Sequence, residues 1–139
     1  MLSKEDYLKR VTTLGCYCYP ERAGETAAIV FASLKKTLPE ESMEGILRLL
    51  PEPVKGLCLE AEFKGPLNGT DCIALAKEIG NYPYRTAAEK AFEVIFASIR
   101  EIIDDDQKMK MSSLLPLPLR QVFEGSKSCV LDGSPGDFL

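Results

Sequence analysis

At 139 residues, with 45% hydrophobic and 27% charged side chains, the chain has the size and composition of one ordinary globular domain, able to bury roughly two-thirds of the surface it exposes when unfolded. A net charge of −4 and the lack of any Lys/Arg cluster argue against a nucleic-acid binder, which needs a basic face to neutralise phosphates. Histidine is absent, which excludes Ser-His and Cys-His nucleophile pairs and the usual zinc hydrolase sites.

The first residues, Met1-Leu2-Ser3-Lys4-Glu5-Asp6, lack the apolar segment of a signal peptide, and no run approaches the ~20 apolar residues that cross a bilayer. A cytoplasmic protein with no membrane partner is expected. Five cysteines, an odd number without an export signal, then predict reduced thiols rather than a disulfide framework.

Ser3 and Asp6 have the form of a capping box, followed by Tyr7, Leu8, Val11 and Leu14 at helical spacing. Gly15 is the expected left-handed end of this first helix. Cys16-Tyr17-Cys18-Tyr19-Pro20 reads as a loop, with Pro20 placed for the first turn of a second helix from about Glu21 to Thr37. Pro39 with Glu40-Glu41 opens a third helix carrying Met43, Ile46, Leu47 and Leu50. Pro51 drives Leu50 out of helical geometry, and Pro53 falls in the first turn of a fourth helix with Val54, Leu57, Cys58 and Ala61 inward.

Gly65-Pro66 is the clearest break. Beyond it Asn68 is the expected cap of a fifth helix, with Asp71 at its third position; Cys72, Ile73, Ala76 and Ile79 form the stripe and Gly80 the end. Asn81-Tyr82-Pro83-Tyr84 is a second tyrosine loop, and a sixth helix spans about Thr86 to Ile103. Asp104 to Asp106 with Gln107 supplies another capping box, for a seventh helix carrying Met111, Leu114 and Leu115. Leu119, Val122 and Phe123 mark the eighth. Residues 126–139 lack periodicity and read as a tail.

The two halves repeat each other without a gap. Leu49-Leu50-Pro51-Glu52-Pro53 returns 65 residues later as Leu114-Leu115-Pro116-Leu117-Pro118, and Phe31-Ala32-Ser33 returns as Phe96-Ala97-Ser98. The same offset superposes Asp6 on Asp71, Gly15 on Gly80, Tyr17 on Tyr82, Tyr19 on Tyr84 and Ala23 on Ala88. The expected fold is therefore all-α: two pseudo-symmetric helical repeats, 1–64 and 67–125, of three to four helices each, packed as one bundle. No stretch alternates with a period of two for long enough to argue for a sheet.

Candidate sites are few. Cys16-x-Cys18 with Cys58 and Cys72 has four sulfurs, but Cys58 and Cys72 correspond to Phe123 and Tyr7, positions on apolar helix faces where cysteine acts as a small hydrophobe. Asp104-Asp105-Asp106 lacks the remaining ligands of a calcium loop, and Gly125-Ser126-Lys127-Ser128 lacks the spacing of a phosphate loop. No metal, cofactor or catalytic residue is predicted. The set that stands out is Tyr17, Tyr19, Tyr82 and Tyr84, two Tyr-x-Tyr loops at matching positions, suited either to a cleft or interface or to stapling each loop onto its own helices.

A capped helix ending in Leu-Gly or Ile-Gly, a long helix with Phe-Ala-Ser-Leu-Lys or Phe-Ala-Ser-Ile-Arg, an acidic turn, and Leu-Leu-Pro-x-Pro followed by Lys or Arg together resemble the bacterial family called domain of unknown function 2267. The resemblance spans about residues 3 to 124 and implies a small all-helical bacterial protein, with no activity or catalytic residue to transfer. The tyrosine loops and the tail are not part of that pattern. The expected function is a non-enzymatic interaction or regulatory module with a protein partner; the alternative is a binder of a small apolar ligand, in a cleft between the repeats near the tyrosines. An enzyme using carboxylate or tyrosine chemistry is the weakest reading.

Overall fold

Local chemistry sets most helix starts. The Ser3 hydroxyl accepts from the Asp6 amide at 3.1 Å and opens α1 (Lys4–Leu14). The computed structural model, which describes residues 3–62 and 71–125, continues with α2 (Pro20–Thr37), α3 (Glu40–Leu49), α4 (Glu52–Glu60), α5 (Cys72–Ile79), α6 (Arg85–Ile102), α7 (Asp105–Leu114) and α8 (Leu117–Glu124). The described residues are all-helical, as expected. The Gly65-Pro66 joint, the Asn68 cap and the tail at 126–139 lie outside the described residues.

Both proline corners form alike. Leu50 and Leu115 leave the helix at φ −79, ψ 137 and φ −92, ψ 142, and Pro51 and Pro116 follow at φ −63, ψ 157 and φ −65, ψ 160. The ring of each proline excludes helical geometry from the preceding leucine, whose side chain is left buried at the corner. The box before α7 closes in both directions, the Gln107 amide donating to Asp104 at 2.8 Å and the Asp104 amide to the Gln107 side chain at 2.9 Å.

Two expected details are corrected. Gly15 ends α1 in right-handed geometry (φ −89); the left-handed residues are the next in line, Cys16 at φ 55 and Asn81 at φ 54, again 65 apart. Asp71 is the N-cap of α5 rather than its third residue, so α5 starts three residues later than the offset from α1 places it. The Asp71 carboxylate accepts from the Ala74 amide at 2.8 Å and from the Arg85 guanidinium at 3.0 and 3.1 Å, tying the start of α5 to that of α6. Burial works to raise its pKa, but the Ala74 amide, the Arg85 guanidinium and the Ile73 amide outweigh it, and the net direction is down. A carboxyl whose folded pKa lies below its unfolded value, about 3.9, contributes stability that is complete above that value and lost as pH falls through the folded pKa. Asp71→Asn keeps a capping oxygen and removes the charge. Its melting temperature should therefore fall less than that of the parent between neutral and acidic pH; parallel acid limbs would refute the assignment.

The 18-residue helices α2 and α6 pack on each other, and α1 and α5 each pack on both. Helix α4 lies on α2, α8 on α6, and α3 on α7. Exchanging the halves carries each of these pairs into another or into itself. Tyr7, Phe31, Phe92, Phe96, Phe123, Leu34, Ile95 and Ile99 are among the side chains buried almost completely between these layers. Gly45 allows α3 to approach α7, since a Cβ there would lie 2.9 Å from Leu114 Cδ1.

Four polar devices hold the bundle. Tyr7 Oη and Ser98 Oγ are 2.7 Å apart in the core, and because Ser98 donates to the Ile95 carbonyl at 2.6 Å, the phenol is the donor to the serine. Lys35 on α2 donates to the Cys58, Leu59 and Ala61 carbonyls at 3.1, 3.1 and 2.6 Å, placing a cation on the negative end of α4. At the matching position Arg100 donates to the Glu124 carbonyl at 3.1 Å and lies 5.7 Å from the centre of the Phe123 ring. An Arg10–Glu101 pair at 2.6 and 2.8 Å adds a link between α1 and α6.

Candidate functional site

The tyrosine loops owe their shape to glycine. Tyr17 folds its ring back over Gly15, and Tyr82 folds its ring over Gly80, where a Cβ would stand 2.5 Å from Tyr82 Cε2 and 3.0 Å from Ile29 Cδ1. Glycine is needed there for space; the backbone turn is made by Cys16 and Asn81. The rings then project towards the gap between the two loops rather than into solvent.

That gap is a cleft of about 490 Å³ between the halves, within the range of small-molecule sites. The first three turns of α2 contribute Arg22, Glu25, Thr26 and Ile29; the second loop and α6 contribute Asn81, Tyr82, Pro83, Ala87, Lys90 and Ala91; Tyr17 and Gly80 complete the lining. Arg22, Glu25, Thr26 and Ile29 recur at three- and four-residue intervals and so share one face of α2.

Of the four tyrosines singled out in the sequence, Tyr17 and Tyr82 come together here, both half-buried. Tyr19 and Tyr84 occupy the N-cap positions of α2 and α6 with their side chains 65% and 69% exposed, and neither lines the cleft. Burial raises the Tyr17 pKa, opposed by the Thr26 hydroxyl and the Arg22 guanidinium. Burial and then the neighbouring Tyr17 raise that of Tyr82, against Thr26 and Arg22. Both phenols stay protonated at neutral pH and act as donors.

The charged members of the cleft had no motif to announce them. Their signal lies in the differences between the repeats: Arg22, Glu25 and Thr26 correspond to Ala87, Lys90 and Ala91, three departures clustered beside the matched tyrosines.

Cysteines hold no comparable site. Cys58 and Cys72 are buried, and burial pushes their thiols up to about 11 and about 12, far from the thiolate a nucleophile or metal ligand requires. Cys18 is exposed and free. Among the described residues no three Cys, Asp or Glu side chains converge as ligands, and no helix is long and apolar enough to cross a membrane.

No protein-family model and no curated protein matches the chain.

Smaller depressions lie elsewhere. One of about 210 Å³ runs beside Cys72 and Pro118. Two shallow grooves occupy matching places in the halves: Leu8, Gly24, Ala28 and Leu57 line one, and their counterparts Ile73, Glu89, Glu93 and Val122 line the other.

Proposed function

We propose that the chain is a non-enzymatic binding protein whose ligand is a small molecule held in the cleft between the two halves. The observation that carries this reading is the meeting of Tyr17 and Tyr82, from loops 65 residues apart, in one 490 Å³ space with a mixed set of polar groups. Apolar ring surface together with a few converging donors, acceptors and charges is the makeup of ligand sites. The charged lining favours a polar or amphipathic ligand over the wholly apolar one expected from the tyrosines alone. The interaction-module reading draws on a different observation, the exposure of Tyr19 and Tyr84 at matching helix starts. Membership of the domain-of-unknown-function 2267 family is proposed on its motif pattern alone and supplies no residue to either site.

One thermal-shift screen of fragments separates the two readings. A ligand present at about 100 times its dissociation constant stabilises by about 2.7 kcal/mol, easily seen as a rise in melting temperature. Replacing Gly80 by leucine should push the Tyr82 ring into the cleft and abolish the rise, while a Tyr19→Ser, Tyr84→Ser double variant should keep it. Loss of the rise in the double variant, with Gly80→Leu folded and still responding, would move the site away from the cleft.

A further inference from the structure

The charge of the cleft opposes that of the chain. The whole sequence carries −4, yet the charged side chains lining the cleft are Arg22, Lys90 and Glu25, a net of one positive charge. Arg22 and Glu25 stand 3.9 Å apart with their side chains 67% and 66% exposed, so they hold each other only loosely. Lys90, exposed on α6, makes no ion pair among the described residues. Lys90 is thus open to an incoming charge, and Arg22 meets one in competition with Glu25.

The uncharged lining narrows the ligand further. The Thr26 hydroxyl commits its proton to the Arg22 carbonyl at 2.7 Å, leaving its lone pairs for the two phenols. The Asn81 amide offers a further donor, and the tyrosine rings with Ile29 and Pro83 form the apolar surface. Cations and donors outnumber the single carboxylate.

Taking the cleft as a ligand site, we infer that it selects a small organic monoanion with a flat apolar body. Lys90 and Arg22 meet the charged group, and Tyr17, Tyr82 and Ile29 receive the ring. Glu25 limits the affinity by occupying part of the Arg22 charge.

Four probes that differ in one property each test this on the full chain by amide-shift titration: benzoate, benzyl alcohol and benzylamine, which share a ring and carry negative, zero and positive charge, and acetate, which has the charge without the ring. Benzoate should shift the amides of Tyr17, Asn81, Tyr82 and Lys90 and bind about tenfold tighter than each of the others, the size expected of one opposite charge at a partly exposed site. K90A should bring benzoate down to the level of benzyl alcohol, and E25Q should tighten it. Benzyl alcohol or benzylamine binding in the cleft as tightly as benzoate would overturn the anion assignment while leaving the cleft a ligand site. Acetate matching benzoate would overturn the flat body, and an unchanged benzoate affinity in folded K90A would overturn the role of Lys90. No cleft shift with any probe would sink the ligand class and the binding reading together.

Discussion

Phe96→Ala should lower the stability of the protein by about 3–5 kcal/mol, the usual cost of removing a fully buried phenylalanine. The Phe96 side chain is 0% exposed, and its ring lies 5.7 Å from that of Phe92 and 5.4 Å, edge-on, from that of Phe123. Such tilted aromatic pairs add about 0.5–1.5 kcal/mol to the burial term. In the first half the same three positions hold Phe31, Ala27 and Cys58, so the aromatic cluster belongs to the second half alone. Against a typical total of about 5–15 kcal/mol, the variant loses a large share of its margin. Urea denaturation followed by circular dichroism measures it. A loss below about 1 kcal/mol would mean that α6 and α8 are not packed through this ring.

The second large effect is expected at Lys35. Lys35→Met keeps an unbranched apolar stem but removes the ammonium that serves three carbonyls at the end of α4, and hydrogen bonds to a charged group are worth about 1.5–3 kcal/mol. A loss of about 2–3 kcal/mol should follow, together with faster amide hydrogen exchange through the last turn of α4. If Lys35→Met costs no more than an ordinary surface substitution, about 0.5 kcal/mol, the ammonium is not holding that helix end.

These positions also show what could be read from the chain alone. The helices, the proline corners, the Ser3 cap and the capping box at Asp104 rest on interactions within four residues, which spacing reveals directly. Gly15 and Gly80 end their helices as expected, but the left-handed turn expected of Gly15 falls on Cys16, and what both glycines supply is room for a ring folding back from two residues ahead. Asp71 is legible as a helix-start residue, but its second partner, Arg85, lies fourteen residues on, which no local pattern encodes. Lys35 and Arg100 were visible as a conserved basic pair across the repeat, without any sign that each reaches the far end of another helix.

The cleft follows the same rule. Tyr17 and Tyr82 were evident from the repeat, but their association with Arg22, Glu25 and Lys90 arises only when α2 and α6 come together. Tyr19 and Tyr84 looked equivalent to the inner pair in sequence. Two residues further along each loop, at the N-cap, the chain has already turned outward.

The two walls of the cleft, though drawn from corresponding positions, are chemically unlike: Arg22, Glu25 and Thr26 line one where Ala87, Lys90 and Ala91 line the other. A guest lying across the seam would meet distinguishable ends and settle in a single orientation. Duplicated segments with identical linings would instead accept it equally well head-first or tail-first. Three differing positions are enough to give the cleft a direction.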